Sequence, residues 1–152
     1  MPLLKRRGKP PDLQEVRSGP PNLAELRREC RDVIAQLGLS HPEEDWIPTA
    51  WYYGPGGPGM AAFDIDASDL RSALEDFLAK ERAMTWGFWA TTWMVDADEA
   101  VSGIRASEHP DRFEALVLQL QTERERALDF ARIQRSEDRP PTLGTWEIQE
   151  EG

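Results

Sequence analysis

The chain has 152 residues, a net charge of −10 and 39% hydrophobic residues. A chain of about that length buries roughly 68–70% of the surface its unfolded form exposes, so one domain with a true core is expected. The single cysteine, Cys30, excludes an internal disulfide framework and a multi-cysteine zinc site, and no apolar run reaches the roughly 18 residues that cross a bilayer.

The opening residues, MPLLKRRGKPP, lack the apolar stretch of a secretory signal. A soluble, cytoplasmic domain is therefore expected. Charge is uneven along the chain. Residues 1–21 hold five basic and two acidic groups, whereas residues 22–152 hold 13 basic and 26 acidic ones. A body this acidic repels nucleic-acid backbones and anionic lipid. It suits a basic protein partner, or simply solubility. Arginine outnumbers lysine 15 to 3, a codon bias of high-GC genomes that points to a bacterial or phage source.

Residues 1–21 contain five prolines and no apolar period, so they read as an extended basic arm, with residues 22–152 as one domain. Lys5, Arg6, Arg7 and Lys9 are the only part suited to touching nucleic acid, and a solvated tail is the simpler account. The first helix is expected over Leu23–Leu37. Asn22 and Glu25 have capping-box spacing, and Leu23, Leu26, Cys30, Val33, Ile34 and Leu37 make one apolar face. Arg27, Arg28 and Arg31 fall on its outer surface.

Thr49–Tyr53 reads as a strand and residues 60–65 as a second, joined around the irregular GPGGPG loop. A second helix is expected over residues 68–83, capped by Asp66 or Ser68, with Leu70, Ala73, Leu74, Phe77 and Leu78 buried. Residues 84–95, MTWGFWATTWMV, should form the longest and most central strand. Alternation puts Trp86, Phe88, Ala90, Thr92 and Met94 on one face and Gly87, Trp89, Thr91, Trp93 and Val95 on the other. Both faces are apolar, so both should be covered. After a connection with one helical turn, residues 114–122 and 127–135 alternate as two strands around the ERER turn. A helix over 113–135 is the other reading, since Glu and Arg favour helices. The turn SEDRPP leads to a last strand over 143–148.

The fold class is therefore α+β: a two-layer sandwich, with a mainly antiparallel sheet of five or six strands and two amphipathic helices over one face. The order is analogous to that of profilin-like and roadblock-like sandwiches, which by itself carries no function.

Asp64, Asp66 and Asp69 cluster where a strand gives way to a helix. The D-x-D pair of Asp64 and Asp66 could present two oxygens to Mg²⁺ or Mn²⁺, although acidic groups at a helix start commonly just complement its dipole. His41 and His109 are the only histidines. His109 stands beside Asp111, as a general base would, but no nucleophile motif accompanies it, and His-Pro favours a plain turn. GPGGPG lacks the Lys-Ser/Thr of a phosphate cradle, and its prolines lack the N–H groups; a hairpin-tip contact loop is the remaining functional reading. Six tryptophans are many for a core of this size. Several of them read as core residues; Trp51, Tyr52, Tyr53, Trp86, Trp89 and Trp93 are also the candidate partner-binding residues, because tryptophan is enriched at binding hot spots.

From His109 onward, HPDRFEALVL, FARIQR and PPTLGTWE resemble small uncharacterised proteins of high-GC actinobacteria. The resemblance covers the last third of the chain and implies no activity.

The expected function is a non-enzymatic interaction domain: a bacterial or phage adaptor, inhibitor or assembly component, acting with a protein partner or as a homo-oligomer. Aromatic sheet residues within an acidic rim would make the contact, and no cofactor is called for. The alternatives are a small metal-dependent enzyme on a phosphate-bearing substrate, using Asp64 and Asp66 with His109 and Asp111, and an acidic mimic of DNA.

Overall fold

The structure, a computed structural model, describes residues 4–6, 19–40, 46–95, 105 and 108–151. In chain order the elements are β1 (Leu4–Arg6), α1 (Leu23–Ser40), β2 (Thr49–Gly54), β3 (Gly57–Phe63), α2 (Ala67–Lys80), β4 (Thr85–Met94), β5 (Phe113–Gln121), β6 (Arg126–Ser136), β7 (Arg139–Leu143) and β8 (Glu147–Glu151). The eight strands form one antiparallel sheet in the order β1-β3-β2-β4-β5-β6-β7, with β8 also paired to β6. The α+β class and antiparallel pairing agree with the pattern in the sequence. The strand count is higher than five or six because the arm contributes β1 and the C-terminal stretch splits into β7 and β8. Among the described residues no helix is long and apolar enough to cross a membrane.

The helices take opposite faces of the sheet, which corrects the expectation that both cover one. Leu23, Leu26, Cys30, Val33 and Ile34 of α1 pack on Trp51, Trp89, Leu116, Leu118 and Leu120. Ala73, Leu74, Phe77 and Leu78 of α2 pack on Ala50, Tyr52, Ala61, Phe63 and Phe88. Neighbouring residues of β2 and β4 thus enter different cores, and three layers result. The cause is the composition of β4: a strand apolar on both faces needs cover on both.

The local devices are specific. At the start of α1, Asn22 N–H donates to Glu25 Oε1 at 3.0 Å and Glu25 N–H donates to Asn22 Oδ1 at 2.8 Å, a complete capping box. Gly87 lets α1 approach β4, since a Cβ there would collide with Cys30 Sγ and come within 3.3 Å of Leu120. On the α2 side, the rings of Tyr52 and Phe63 each meet Phe77 edge-on, and Phe88 meets Phe63 likewise, at centroid distances of 5.0, 5.7 and 5.9 Å.

The hairpin is tighter than a six-residue irregular loop. Gly54 pairs with Gly57, so only Pro55 and Gly56 make the turn. Pro55 pre-sets its own φ, and Gly57 supplies the left-handed φ of 103° that closes it. β7 contains Pro140 and Pro141, which a central strand would not tolerate; it survives as an edge strand with an irregular register against β6. β4 is central as expected, but at 11 residues β6 is longer than β4 at 10.

Candidate functional site: a cleft at the hairpin end of the sheet

The six aromatic candidates do not form one surface. Trp51 and Trp89 are sealed at 0% and 1% exposure, and Tyr52 is buried. These three are core residues, which corrects their reading as contact residues; layers on both faces hide what one layer would have left open. Trp46 and Trp146 pack against the α1 core as well. The other three candidates reach the surface in separate places. Trp93 is 43% exposed near the end of β4, with the Arg112 guanidinium 4.8 Å above its ring. Trp86, on the opposite face, lines a groove of about 560 Å³ beside Leu70, Leu74 and Leu78 of α2. Tyr53 lines a cleft of about 530 Å³ at the hairpin end.

That cleft gathers distant parts of the chain: Tyr53 and the Gly-Pro tip, Arg82, Met84 and Thr85 after α2, Glu123 between β5 and β6, and Pro20 before α1. Its geometry follows from how α2 ends. Ala83 N–H donates to Leu78 O at 2.9 Å and Arg82 N–H to Ala79 O at 3.2 Å, with Arg82 at φ 54°. This is a Schellman closure with arginine where glycine is usual. It reverses the chain sharply and leaves Met84 60% exposed at the mouth of β4.

The hairpin is held against this turn. A Cβ on Gly54 would lie 2.8 Å from the Glu81 carbonyl oxygen, and one on Gly59 would lie 2.7 Å from the Tyr52 ring. Tyr52 Oη donates to Glu81 Oε1 at 3.1 Å. Tyr53 Oη donates to Glu29 Oε1, which also receives Trp51 Nε1–H at 3.2 Å. Glu29 is itself buried on α1, so Tyr53 is a fixed aromatic wall. The cleft thus offers a rigid ring, prolines and a thioether, with Arg82 and Glu123 as exposed charges on its rim. Rigid aromatics and adaptable methionine are the equipment of a contact surface.

The residues of the metal-enzyme alternative are not brought together. Asp64 and Asp66 are exposed. Asp66 occupies the N-cap of α2 in an extended conformation without a side-chain cap bond; its carbonyl, not its carboxylate, accepts Asp69 N–H at 3.0 Å. Capping by the Asp66 side chain is corrected accordingly. His109 is buried, and its Nδ1 accepts Asp111 N–H at 3.0 Å, the bond of a structural turn. It precedes β5, whereas Asp64 follows β3, with β2 and β4 between those strands. Among the described residues no three His, Cys, Asp or Glu side chains form a metal-holding group. Lys5 and Arg6 fall in β1; Arg7, Lys9 and His41 lie outside the described residues.

The buried charges under α1 were not anticipated. Asp129, in the middle of β6, is fully buried and accepts from Arg27 and Arg31. These arginines lie over the sheet rather than on the outer surface. The available signals were a lone Asp alternating with Ala127, Ala131 and Ile133, and arginines four residues apart on α1. Burial pushes the Cys30 thiol up from its ordinary pKa, and the nearby charges of Glu29 and Asp129 add to the effect.

Comparison with known proteins finds no family model, no curated sequence and no solved structure that matches this chain.

Proposed function

We propose that the chain is a non-enzymatic protein-interaction domain, an adaptor, inhibitor or assembly component of a bacterium or phage, acting in the cytoplasm. It contacts its partner at the hairpin end of the sheet. One observation carries this reading: Met84, 60% exposed, lines the same open cleft as the immobilised ring of Tyr53. A large apolar side chain kept in water in one cleft with a rigid aromatic is what a docking site offers. The net charge of −10 favours a basic partner by steering its approach.

The test is affinity capture from host lysate with three baits: the natural chain, Met84→Asp and Ile148→Asp. Ile148 is 53% exposed on β8 and serves as the control. A stoichiometric partner held by the natural chain and by Ile148→Asp, but released by Met84→Asp, supports the reading. A chain that retains no partner, or a partner indifferent to Met84→Asp, refutes it.

A further inference from the structure

The outer edge of β3 bears on the chemistry of the partner. An edge strand presents unpaired N–H and C=O groups, and proteins usually blunt such edges. On the far side of this sheet, β7 carries Pro140 and Pro141 with an irregular register, and β8 is acidic with a register shift of its own. β3, reading GPGMAAF, has no charge and only Pro58 to interrupt it. It is covered instead by β1, three residues of the basic arm, with Leu4 opposite Phe63, Lys5 opposite Ala62 and Arg6 opposite Ala61.

The register shows how β1 holds on. Phe63 N–H donates to Pro48 O at 2.8 Å, on the β2 side. By alternation, the N–H and C=O of Ala62 point outward, and Lys5 is the residue that exchanges both bonds with them. Among the described residues no strand pairs with Gly57–Met60 on that side. β1 is therefore a short, weak occupant. It is tethered by the 16 residues 7–22, a length that keeps it at an effective concentration of roughly millimolar. The attraction is also electrostatic: residues 1–21 carry +3 against −13 for the remainder.

We infer that the β3 edge is a strand-docking site for an extended basic segment of another protein, occupied in cis by Leu4–Arg6. A longer incoming strand pairs where β1 pairs and continues toward Met60, so it displaces the shorter one. Main-chain bonding supplies the affinity, as in other strand-addition complexes, and the acidic body selects for basic sequence. This rests on the interaction reading. Gly57 and Pro58 of β3 also line the Met84 cleft, but Ala61–Phe63, where β1 pairs, do not, so the peptide titration and the Met84→Asp capture can fail independently.

The probe is a fluorescent peptide copying residues 1–9, MPLLKRRGK, titrated by anisotropy into the full-length chain. It is also titrated into full-length Lys5→Pro, which loses the N–H that anchors β1. A control peptide of identical charge is methylated on the backbone nitrogen of Lys5. The inference requires saturable binding that tightens at least about threefold in Lys5→Pro, because the cis competitor is released. It also requires at least about tenfold weaker binding of the methylated peptide to the unaltered chain. Equal binding of the two peptides shows attraction by charge alone and overturns the inference. Unchanged affinity in Lys5→Pro, or no saturable binding, overturns it too.

Discussion

The guanidinium of Arg27 grips the carboxylate of Asp129 with two bonds, Nε to Oδ2 at 2.7 Å and Nη2 to Oδ1 at 3.1 Å. Arg31 Nη2 adds a third, to Oδ2 at 2.7 Å. A carboxylate fully out of water is tolerated only when paired and hydrogen-bonded, and here the pairing ties α1 to the centre of β6. Asp129→Ala leaves two cations over an apolar sheet and is expected to cost about 3–5 kcal/mol in urea unfolding. A loss below about 1 kcal/mol would show that the cluster is dispensable.

Gly87 and Cys30 form a size-matched pair between β4 and α1. Gly87→Ala places a methyl group against Cys30 Sγ, and overpacking of this kind costs about 1–3 kcal/mol. In a Cys30→Ala background the collision is gone, so the same substitution should cost much less. Equal costs in the two backgrounds would mean that helix and strand do not meet at this point.

The raised pKa of Cys30 has a definite sign for stability. Well below about pH 8.5 the thiol is neutral in both states and contributes no pH dependence. Above that pH the unfolded chain releases the proton while the folded chain holds it, so stability falls as pH rises toward the folded-state value. The expected slope is up to about 1.4 kcal/mol per pH unit. The difference between the natural chain and Cys30→Ala isolates it: their unfolding free energies should converge steadily from pH 8.5 to 10.5, and a constant gap would contradict the burial of the thiol.

Arg82 adopts φ 54°, where an L side chain is strained and glycine is not. Arg82→Gly should therefore stabilise the fold by about 0.5–1 kcal/mol, despite glycine's greater freedom when unfolded. For a chain of this size that is a rise of roughly 1–3 °C in thermal midpoint. A lower midpoint would mean that the arginine side chain holds the cleft together.

Local patterns made much of this architecture readable. The Asn22–Glu25 capping box, the apolar stripe of α1 and the alternation of β4 each state their structure within a few residues. The side taken by each helix was not readable, because Trp86 and Phe88 are as apolar as Trp89, and a strand dressed on both faces does not say which helix goes where. The three-residue β1 carries no pattern of its own; it is a strand only by its pairing with the β3 edge. Of the cleft, only Tyr53 and the Gly-Pro tip stood out. Arg82, Met84 and Glu123 come from turns far apart in sequence, and chain folding alone makes them neighbours.

On the proposed function, a partner protein touches the chain at the exposed Met84. A photo-crosslinking amino acid at position 84, with position 148 as the control, tests it in the living host. One discrete covalent adduct from position 84, absent from position 148, is the predicted result. No adduct from position 84, or the same products from both positions, would contradict the claim.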